Sequence, residues 1–428
     1  MAPTQSPDRD RVTASPSRVA WLDGLRGLAA MQIVLLHYAT AFLPAIGMYD
    51  LGRQHFPWEL WVICTPLFLP FDGYSAVYLF FLMSGVALTY AYGQKPFPVL
   101  ANVGRRIVRL GMPVAAAILL SGSLLALFSQ VRLDAAVLAG STGWLDAAPR
   151  QVTIAGMVHQ AVFEGMLTGY SGNGFWPEWV LRPFDLVSGA ESYDAPLWTL
   201  NVELIGSLVI MALAALRMRI GAVWHGVACV LLWIAFCASP LGLFVLGHVV
   251  APRLGTVAKG RWPNRLGAAC LGAGVCLCAL KPLVHVNWML RLLPTPLLGV
   301  KCSEFQMISM IEAQLLFAGI VLLPATHAWL ASPAARWFGK ISFSLYLTHY
   351  PLLLTLSSGV FVAVRWCAGY GEAVIAATAA GLLASLAMAV GFERCVDRSA
   401  IVLSRRIGRP RHAAPAHPTM LLEPGPSS

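Results

Sequence analysis

The chain has 428 residues, of which 57% are hydrophobic and only 12% are charged, and its formal net charge is +10. So little polar surface excludes two soluble domains of ordinary composition. The basic residues are scattered between apolar runs and form no stripe with aromatic residues, which excludes a nucleic-acid partner. The apolar surface must face lipid, and the predicted fold is an all-α, polytopic bundle of transmembrane helices.

Apolar windows of about 20 residues, the length of a membrane helix, recur along most of the sequence. The polar segment 1–18 has no signal-peptide pattern, so we expect it to remain attached. The predicted transmembrane domain covers 19–395, and the basic, Pro-rich tail 404–428 is predicted to be disordered. The ten predicted spans are 27–47, 74–92, 107–130, 197–217, 222–238, 240–252, 264–280, 309–327, 341–364 and 372–392.

The basic residues predict how these spans are oriented. Arginines and lysines precede the first span and follow the second, fourth, sixth, eighth and tenth. The positive-inside rule makes this face cytosolic, so both termini are predicted to be cytosolic in a plasma membrane, or inner membrane in a bacterium. Two segments leave alternatives open, because 240–252 is short for a crossing and 151–170 fits an interfacial or re-entrant helix.

The longest connection, 131–196, then lies on the non-cytosolic face. Loops of this length are usually functional or disordered, and its aromatic residues favour an ordered lid or sugar platform. We expect the acceptor of any reaction to bind there. Its aromatic and acidic residues are Trp144, Trp176, Trp179, Asp185, Glu191 and Asp194.

The first span carries ionisable residues, which cost several kcal/mol inside a membrane unless they are paired. Asp23 and Arg26 lie at its cytosolic edge, and His37 follows eleven residues after the arginine. Eleven helical residues rise about 16 Å in almost three turns, so Arg26 and His37 share a face without touching. Asp23 can pair with Arg26. The alternative is that the arginine reaches the interface and the histidine makes only an interhelical hydrogen bond.

The second span and the entrance of the third contain two further candidates. Ser84-Gly85 is typical of close helix packing. Arg105, Arg106 and Arg109 are typical of positive-inside anchors, but their spacing also lets two or three of them face one pocket. Such a group can bind phosphate bidentately.

The fourth and ninth spans add polar residues at membrane depth. The fourth begins with Trp198, Asn201 and Glu203, and no basic residue of its own helix can pair with this carboxylate. Glu203 therefore needs a partner from elsewhere. His349 follows Lys340 into the ninth span, and a packing role for this histidine is about as well supported as a site role.

The nine cysteines include no Cys-x-x-Cys pair, and most lie in apolar windows where cysteine acts as a small hydrophobic residue. We therefore expect neither a metal site nor a disulfide framework.

Together, these segments resemble the acyltransferase-3 family of membrane acyltransferases. The family's first-span motif, an Arg and a His separated by ten residues, is matched by Arg26 and His37. The four later matches are Phe-Phe-x-x-Ser-Gly from Phe80, the arginine-rich entry ending at Pro113, Pro-Leu-Trp-x-Leu-x-x-Glu from Pro196 to Glu203, and the Gly, Ser, Tyr-Leu and His-x-Pro segment from Gly339 to Pro351.

The five motifs occur in order across residues 21–395, and the sequence departs from the family in one of its features. The family often has Glu-x-Pro after the last span, whereas Glu393-Arg394 is followed here by Cys395. This departure leaves the role of Glu393 open. The chain has no room for the soluble esterase-like domain that some members carry.

The resemblance implies transfer of an acyl group, commonly acetyl, from acyl-coenzyme A to a hydroxyl of a glycan, glycolipid or macrolide-like acceptor. Coenzyme A would be a co-substrate, no cofactor would be bound permanently, and membrane lipid would surround the site. We expect His37 to be a general base or a transient acyl carrier, with Glu203 orienting it. The predicted donor-binding residues are Arg26, Arg105, Arg106 and Arg109, and the supporting residues are Asp23, Ser84, Trp198, Asn201 and His349.

Two other classes of function are alternatives. A transporter or flippase for a glycoconjugate or organic anion would use the same ionisable residues as a pathway, but the sequence has no internal repeat typical of many transporters. An inactive scaffold would not explain so many ionisable residues in the membrane.

Overall fold

The computed structural model describes residues 20–92, 97–171, 186–254, 261–285 and 302–407. Within these ranges the chain is helical, with one isolated bridge between Ser171 and Ser188 and no β-strand. The all-α prediction is confirmed. The main helices are α1 (Ala20–Phe42), α2 (Gly73–Tyr92), α3 (Val99–Leu138), α4 (Trp198–Arg217), α5 (Ala222–Phe236), α6 (Pro240–Val250), α7 (Arg261–Leu280), α8 (Glu304–Leu322), α9 (Pro333–Leu352) and α10 (Tyr370–Phe392).

In the described ranges, eight helical segments are long and apolar enough to cross a membrane. Each overlaps one of the predicted spans. The two remaining predictions, 222–238 and 240–252, correspond to shorter apolar helices, Ala222–Phe236 and Pro240–Arg253. The chain is therefore a multi-pass membrane protein, whereas the count of ten crossings and the cytosolic termini stay predictions. The tail 1–18 and residues 408–428 lie outside the described ranges.

Local capping signals shift several helix boundaries from the predicted ones. Helix α8 begins at Glu304 because the Ser303 and Gln306 side chains form a capping box. Helix α9 begins at Pro333, where Ser332 caps the first turn and proline suits the first helical position. Because these polar turns carry no hydrophobic signal, the apolar windows placed both starts too late.

The predicted loop 131–196 begins later than expected, because α3 continues through Leu138. Its 40 residues bend at Phe128, whose φ of −131° and ψ of 23° are not helical. The part before the bend is about 44 Å long and by itself exceeds the thickness of a bilayer core. The guanidinium of the buried Arg132 donates to the carbonyl oxygens of Leu145 and Ala148, at 3.1 and 2.6 Å. The chain after α3 therefore folds back onto the end of this helix.

Part of this connection is itself helical. Residues Ile154–Val162 form a nine-residue α-helix followed by a π-turn, Phe163–Leu167. Nine residues are too few to cross a membrane, so the segment predicted as interfacial or re-entrant is a short helix in the structure. Trp176, Trp179 and Asp185 lie outside the described residues.

Helices α1 and α9 cross with their backbones in direct contact. A Cβ atom on Gly339 would lie 2.0 Å from the carbonyl oxygen of Asp23, and one on Gly27 would lie 2.6 Å from the amide nitrogen of Gly339. Only glycine permits this approach. The crossing places the ionisable residues of α1 directly against those of α9.

Helices α2 and α6 make a second close contact. A Cβ atom on Gly85 would lie 2.4 Å from the carbonyl oxygen of Phe244. The packing role considered for Ser84-Gly85 therefore applies to the glycine, whereas the Ser84 side chain lines a pocket described below.

Candidate active site

His37 and His349 form a hydrogen-bonded pair across the α1–α9 contact. The Nδ1 atom of His37 lies 2.8 Å from Nε2 of His349, and the two ring planes are 4° apart. The Nδ1 atom of His349 lies 3.0 Å from the carbonyl oxygen of Leu345. The structure thus joins the two histidines that the sequence placed on separate spans.

These contacts determine the neutral tautomers of both rings. A carbonyl oxygen only accepts hydrogen bonds, so Nδ1 of His349 carries a proton and its Nε2 is an acceptor. Nδ1 of His37 then donates to that acceptor, which leaves Nε2 of His37 with a free lone pair. Within the described residues His37 makes no other hydrogen bond. Its Nε2 atom is available as a base or nucleophile.

Aromatic rings surround His37 on the loop side. Trp144 and Tyr350 lie 5.8 and 5.7 Å from its ring centroid. Asp194 lies within electrostatic range of Tyr350, and burial raises the pKa of its carboxyl well above the usual value. Burial of Asp194 thus favours the neutral form of its carboxyl.

His37 lines a cavity of about 360 Å³ at the end of the bundle where α4 and α8 begin. The wall comes from α1, α2, α4, α8, α9 and the turn between α5 and α6, so of the predicted loop only Pro196 contributes. Trp198 lies in this wall, as do the hydroxyl groups of Tyr74, Tyr78 and Ser309. Within the described part of the chain no charged side chain lines the cavity. We call it the histidine cavity.

A second cavity of about 100 Å³ lies between the histidine cavity and the end of the bundle that carries the arginines. Its polar lining consists of Arg26, Ser84, Arg106, Arg109, Thr199, Glu203 and Tyr346. The two cavities share Val77 and Tyr346 in their walls. The Tyr346 hydroxyl is held by the Pro196 carbonyl at 2.6 Å and by the Thr199 hydroxyl at 2.8 Å. We call this space the arginine cavity.

A third cavity of about 630 Å³ continues from the arginine cavity toward the same end of the bundle. Arg26, Arg109 and Phe343 line both of them. Arg336 and Lys340 add positive charge to its wall, and Asp397 pairs with Arg109 at 3.6 Å. This outer cavity, the arginine cavity and the histidine cavity thus form a series along one side of α1.

Glu203 pairs with Arg106, with which it forms an ion pair and a hydrogen bond. The Arg106 guanidinium also donates to the Ser207 hydroxyl at 2.7 Å. Glu203 thus lies in the arginine cavity, while the ring of His37 is held by His349. The sequence suggested that Glu203 orients His37. In the structure, His349 is the residue that contacts and orients the His37 ring.

The four predicted donor-binding arginines differ in their surroundings. Within the described ranges Arg26 makes no hydrogen bond or ion pair, so its guanidinium is available to an anion. Arg105 instead donates to the Ile407 carbonyl and the Asn102 side chain, both at 3.0 Å, and lines none of the three cavities. The structure therefore brings Arg26, Arg106 and Arg109 together in the arginine cavity. Arg105 instead points toward Ile407, at the C-terminal end of the described chain.

The remaining residues lie either in the outer cavity or away from all three cavities. Asp23 is exposed in the outer cavity, and it forms no ion pair with Arg26 in the described structure. Glu393 lines the same cavity and pairs with Arg398 at 2.8 Å. Asn201 points away from the cavities and donates to the Met166 carbonyl at 2.9 Å, where it fixes the π-turn.

A buried ionic cluster, which was not predicted from the sequence, lies beside the histidine cavity. Lys281 lies 2.9 Å from Asp72 and 2.8 Å from Glu312, and all three side chains are fully buried. Asp72 directly precedes α2, Lys281 directly follows α7 and Glu312 lies within α8, so the three residues are far apart in sequence. The only sequence signal for this cluster was a charged residue at the end of an apolar window. Lys281 has this pattern, but the same pattern is typical of lysines that anchor a helix at the membrane interface.

Replacing His349 with phenylalanine should reduce activity by roughly 10- to 100-fold, because His37 loses the acceptor that fixes its tautomer. Asparagine at the same position retains a carbonyl acceptor and should recover part of the loss. Turnover over a range of pH tests this, since a changed tautomer preference moves the pH profile and a packing defect lowers it uniformly. If His349→Phe has the pH profile and the rate of the wild type, His349 does not orient His37.

Comparison with known proteins identifies the family of the chain. The model of the acyltransferase-3 family, described as an acyltransferase domain, matches residues 19–394. The chain is also similar to O-acetyltransferase PaAT-1 from Phomopsis amygdali, with 26% identity over 381 residues, which cover 79% of this chain and 72% of that protein. No solved structure matches the chain. The chain belongs to the acyltransferase-3 family and is a multi-pass membrane acyltransferase.

Proposed function

We propose that the protein is an O-acetyltransferase that moves an acetyl group from acetyl-coenzyme A to a hydroxyl of an uncharged acceptor. The observation that carries this proposal is the series of three cavities, with unpaired positive charge at one end and a free imidazole nitrogen at the other. The similarity to an O-acetyltransferase supports the choice of acetyl and of oxygen.

The outer and arginine cavities suit the donor. Coenzyme A carries phosphates at one end and a thioester at the other, and Arg26 lies about 16 Å along α1 from His37. Arg26, Arg336 and Lys340 would bind the phosphates at the cytosolic face. The thioester would then pass Tyr346 and reach Nε2 of His37.

The histidine cavity suits the acceptor. Its wall is mainly apolar, with hydroxyl groups and the Gln306 amide as polar contacts. A hydroxyl compound with an apolar surface fits this wall, such as a glycolipid or the sugar of a lipid-linked glycan. A charged acceptor would lack a counterion among the described lining residues. The plasma membrane stays the predicted location, because there the donor would come from the cytosol.

The reaction needs one base and no further reactant. Nε2 of His37 takes the proton of the acceptor hydroxyl, and the resulting oxygen nucleophile attacks the thioester carbonyl carbon. The carbon–sulfur bond then breaks, and the coenzyme A thiolate takes the proton from the His37 imidazolium. The products are the acetyl ester and coenzyme A thiol. His349 stabilises the imidazolium through the hydrogen bond to Nδ1.

Family membership also favours acetyl transfer over transport. A transporter would move its substrate unchanged, whereas acetyl transfer must release one coenzyme A thiol for each ester formed. The transport alternative has no comparable support, because the family match is to an acyltransferase domain.

Replacing Arg26 with glutamine should raise KM for acetyl-coenzyme A by roughly tenfold or more, because a hydrogen bond to a charged group is worth about 1.5–3 kcal/mol. The matched control is Arg219→Gln, which removes an exposed arginine outside the three cavities. Initial rates at varied acetyl-coenzyme A give KM for both variants. An Arg26→Gln enzyme with the KM of the control would contradict the proposed donor site.

A further inference from the structure

His225, Cys229 and His248 form a cluster outside the three cavities. The two histidines have their Nε2 atoms 3.3 Å apart, and the Cys229 sulfur lies 3.8 Å from the His225 ring nitrogens. His225 and Cys229 lie one turn apart on α5, and His248 lies on α6. Three potential ligand atoms, two nitrogens and one sulfur, therefore lie within 4.8 Å of one another.

These separations match a tetrahedral zinc site. With zinc–nitrogen distances of about 2.0–2.1 Å and a zinc–sulfur distance of about 2.3 Å, tetrahedral geometry places two nitrogens about 3.3 Å apart and a nitrogen and sulfur about 3.6 Å apart. The observed 3.3 Å agrees with the first value, and 3.8 Å requires only a small adjustment. Two imidazoles and a thiolate are ligands that zinc prefers.

The hydrogen bonds of Thr89 orient one of the ligands. The Thr89 hydroxyl donates to the Gly85 carbonyl at 2.7 Å and lies 2.8 Å from Nδ1 of His248. With its proton used, the hydroxyl accepts from Nδ1–H, so Nε2 of His248 carries the lone pair directed at His225. Metal-binding histidines commonly have this kind of support on the nitrogen that does not bind the metal.

The position of the cluster gives such a site a structural purpose. Cys229 is the one buried residue of α5 in the described structure, so this helix has little apolar packing to hold it. The α5–α6 hairpin consists of the two apolar helices that are shortest for a membrane crossing. A metal bound to His225, Cys229 and His248 would fasten α5 to α6, and α6 is packed on α2 at Gly85.

The positive charge near the cluster favours a metal whose own charge is partly neutralised by its ligands. Arg217 lies within electrostatic range of all three residues. A thiolate ligand would reduce the charge of a bound Zn²⁺ to +1, which lessens its repulsion by the guanidinium. The cluster lies near the end of the bundle with the arginines, the predicted cytosolic face, where thiols stay reduced.

We propose that His225, Cys229 and His248 bind one zinc ion that pins the α5–α6 hairpin. The sequence predicted no metal site, because the ligands form no Cys-x-x-Cys pair and the third comes from another helix. The competing explanation is a direct hydrogen bond between the two imidazoles. That bond would need only the two histidines, and it would not require the Cys229 sulfur.

Metal analysis of the full-length protein tests the proposal, with purification through a tag that contains no histidine. We expect about one zinc per chain in the wild type and in Cys237→Ser, which removes a thiol from the same hairpin outside the cluster. Cys229→Ser and His248→Gln should lose most of it. Copper in place of zinc at one equivalent would overturn the choice of metal, and no bound metal in the wild type would overturn the site.

A second measurement removes the ambiguity of a misfolded variant. Wild-type protein stripped by a chelator should show a lower Tm and, on addition of Co²⁺, a thiolate-to-cobalt absorption band. The band should be absent in Cys229→Ser and present in Cys237→Ser. A wild-type protein that shows neither the loss of Tm nor the band does not use these residues for a metal.

Discussion

Replacing His37 with glutamine should reduce acetyl transfer by about 10²- to 10⁴-fold, the usual contribution of a general base. Glutamine keeps a polar side chain of similar length, so the contact with His349 can persist while the free basic nitrogen is lost. The substitution should leave the Tm and KM for acetyl-coenzyme A close to those of the wild type. Coenzyme A thiol release with purified protein measures the loss.

The control for this variant is His285→Gln. His285 has an 80% exposed side chain and lies outside the three cavities. Full transfer activity in His37→Gln, with normal activity in the control, would contradict the catalytic assignment. If instead radiolabelled acetyl-coenzyme A without acceptor leaves a stable acetyl group on His37, the histidine is an acyl carrier and the direct transfer written above is wrong.

Replacing Lys281 with methionine should destabilise the protein by about 3–5 kcal/mol, the typical result of removing one partner from a buried ionic group. Methionine has a similar length, so the main change is the loss of the positive charge between Asp72 and Glu312. Two buried carboxylates then remain without a counterion. Thermal unfolding in detergent, followed by intrinsic fluorescence, should show a large decrease in Tm.

A compensated variant separates the electrostatic cause from a packing defect. Lys281→Met combined with Asp72→Asn and Glu312→Gln removes the uncompensated charge and should regain much of the lost Tm. The cluster adjoins the histidine cavity through Tyr74 and Ser309, so the single variant should also weaken acceptor turnover. A single variant as stable as the wild type would show that the three groups do not form a coupled charge cluster.

Much of the fold could be predicted because membrane helices have a strong sequence signal. An apolar window of suitable length has few alternatives in lipid, so the ten predicted segments all appear as helices. The shared face of Arg26 and His37 was equally predictable, since helical rise and periodicity alone decide it. Helix ends such as Ser303 and Ser332 depend on single polar turns, which an average over 20 residues obscures.

Contacts between helices were much harder to predict. Glu203 was predicted to orient His37, and His349 was predicted only as a supporting residue. The α1–α9 crossing at Gly27 and Gly339 brings His349 to His37 instead. The possible Asp23–Arg26 pair does not form among the described residues, and such a pair would be worth only about 0.2–0.5 kcal/mol. The His225–Cys229–His248 and Asp72–Lys281–Glu312 clusters were not predicted for the same reason, since their members come from different parts of the chain.

The most direct test of the proposed reaction uses radiolabelled acetyl-coenzyme A, membranes containing the protein and a lipid extract of cells that carry the gene. Wild-type membranes should convert the extract into a labelled, alkali-labile ester and release one coenzyme A thiol for each ester formed. Membranes with His37→Gln should do neither above background. Equal ester formation by both membranes, or ester formation without thiol release, would contradict acetyl transfer from coenzyme A by His37.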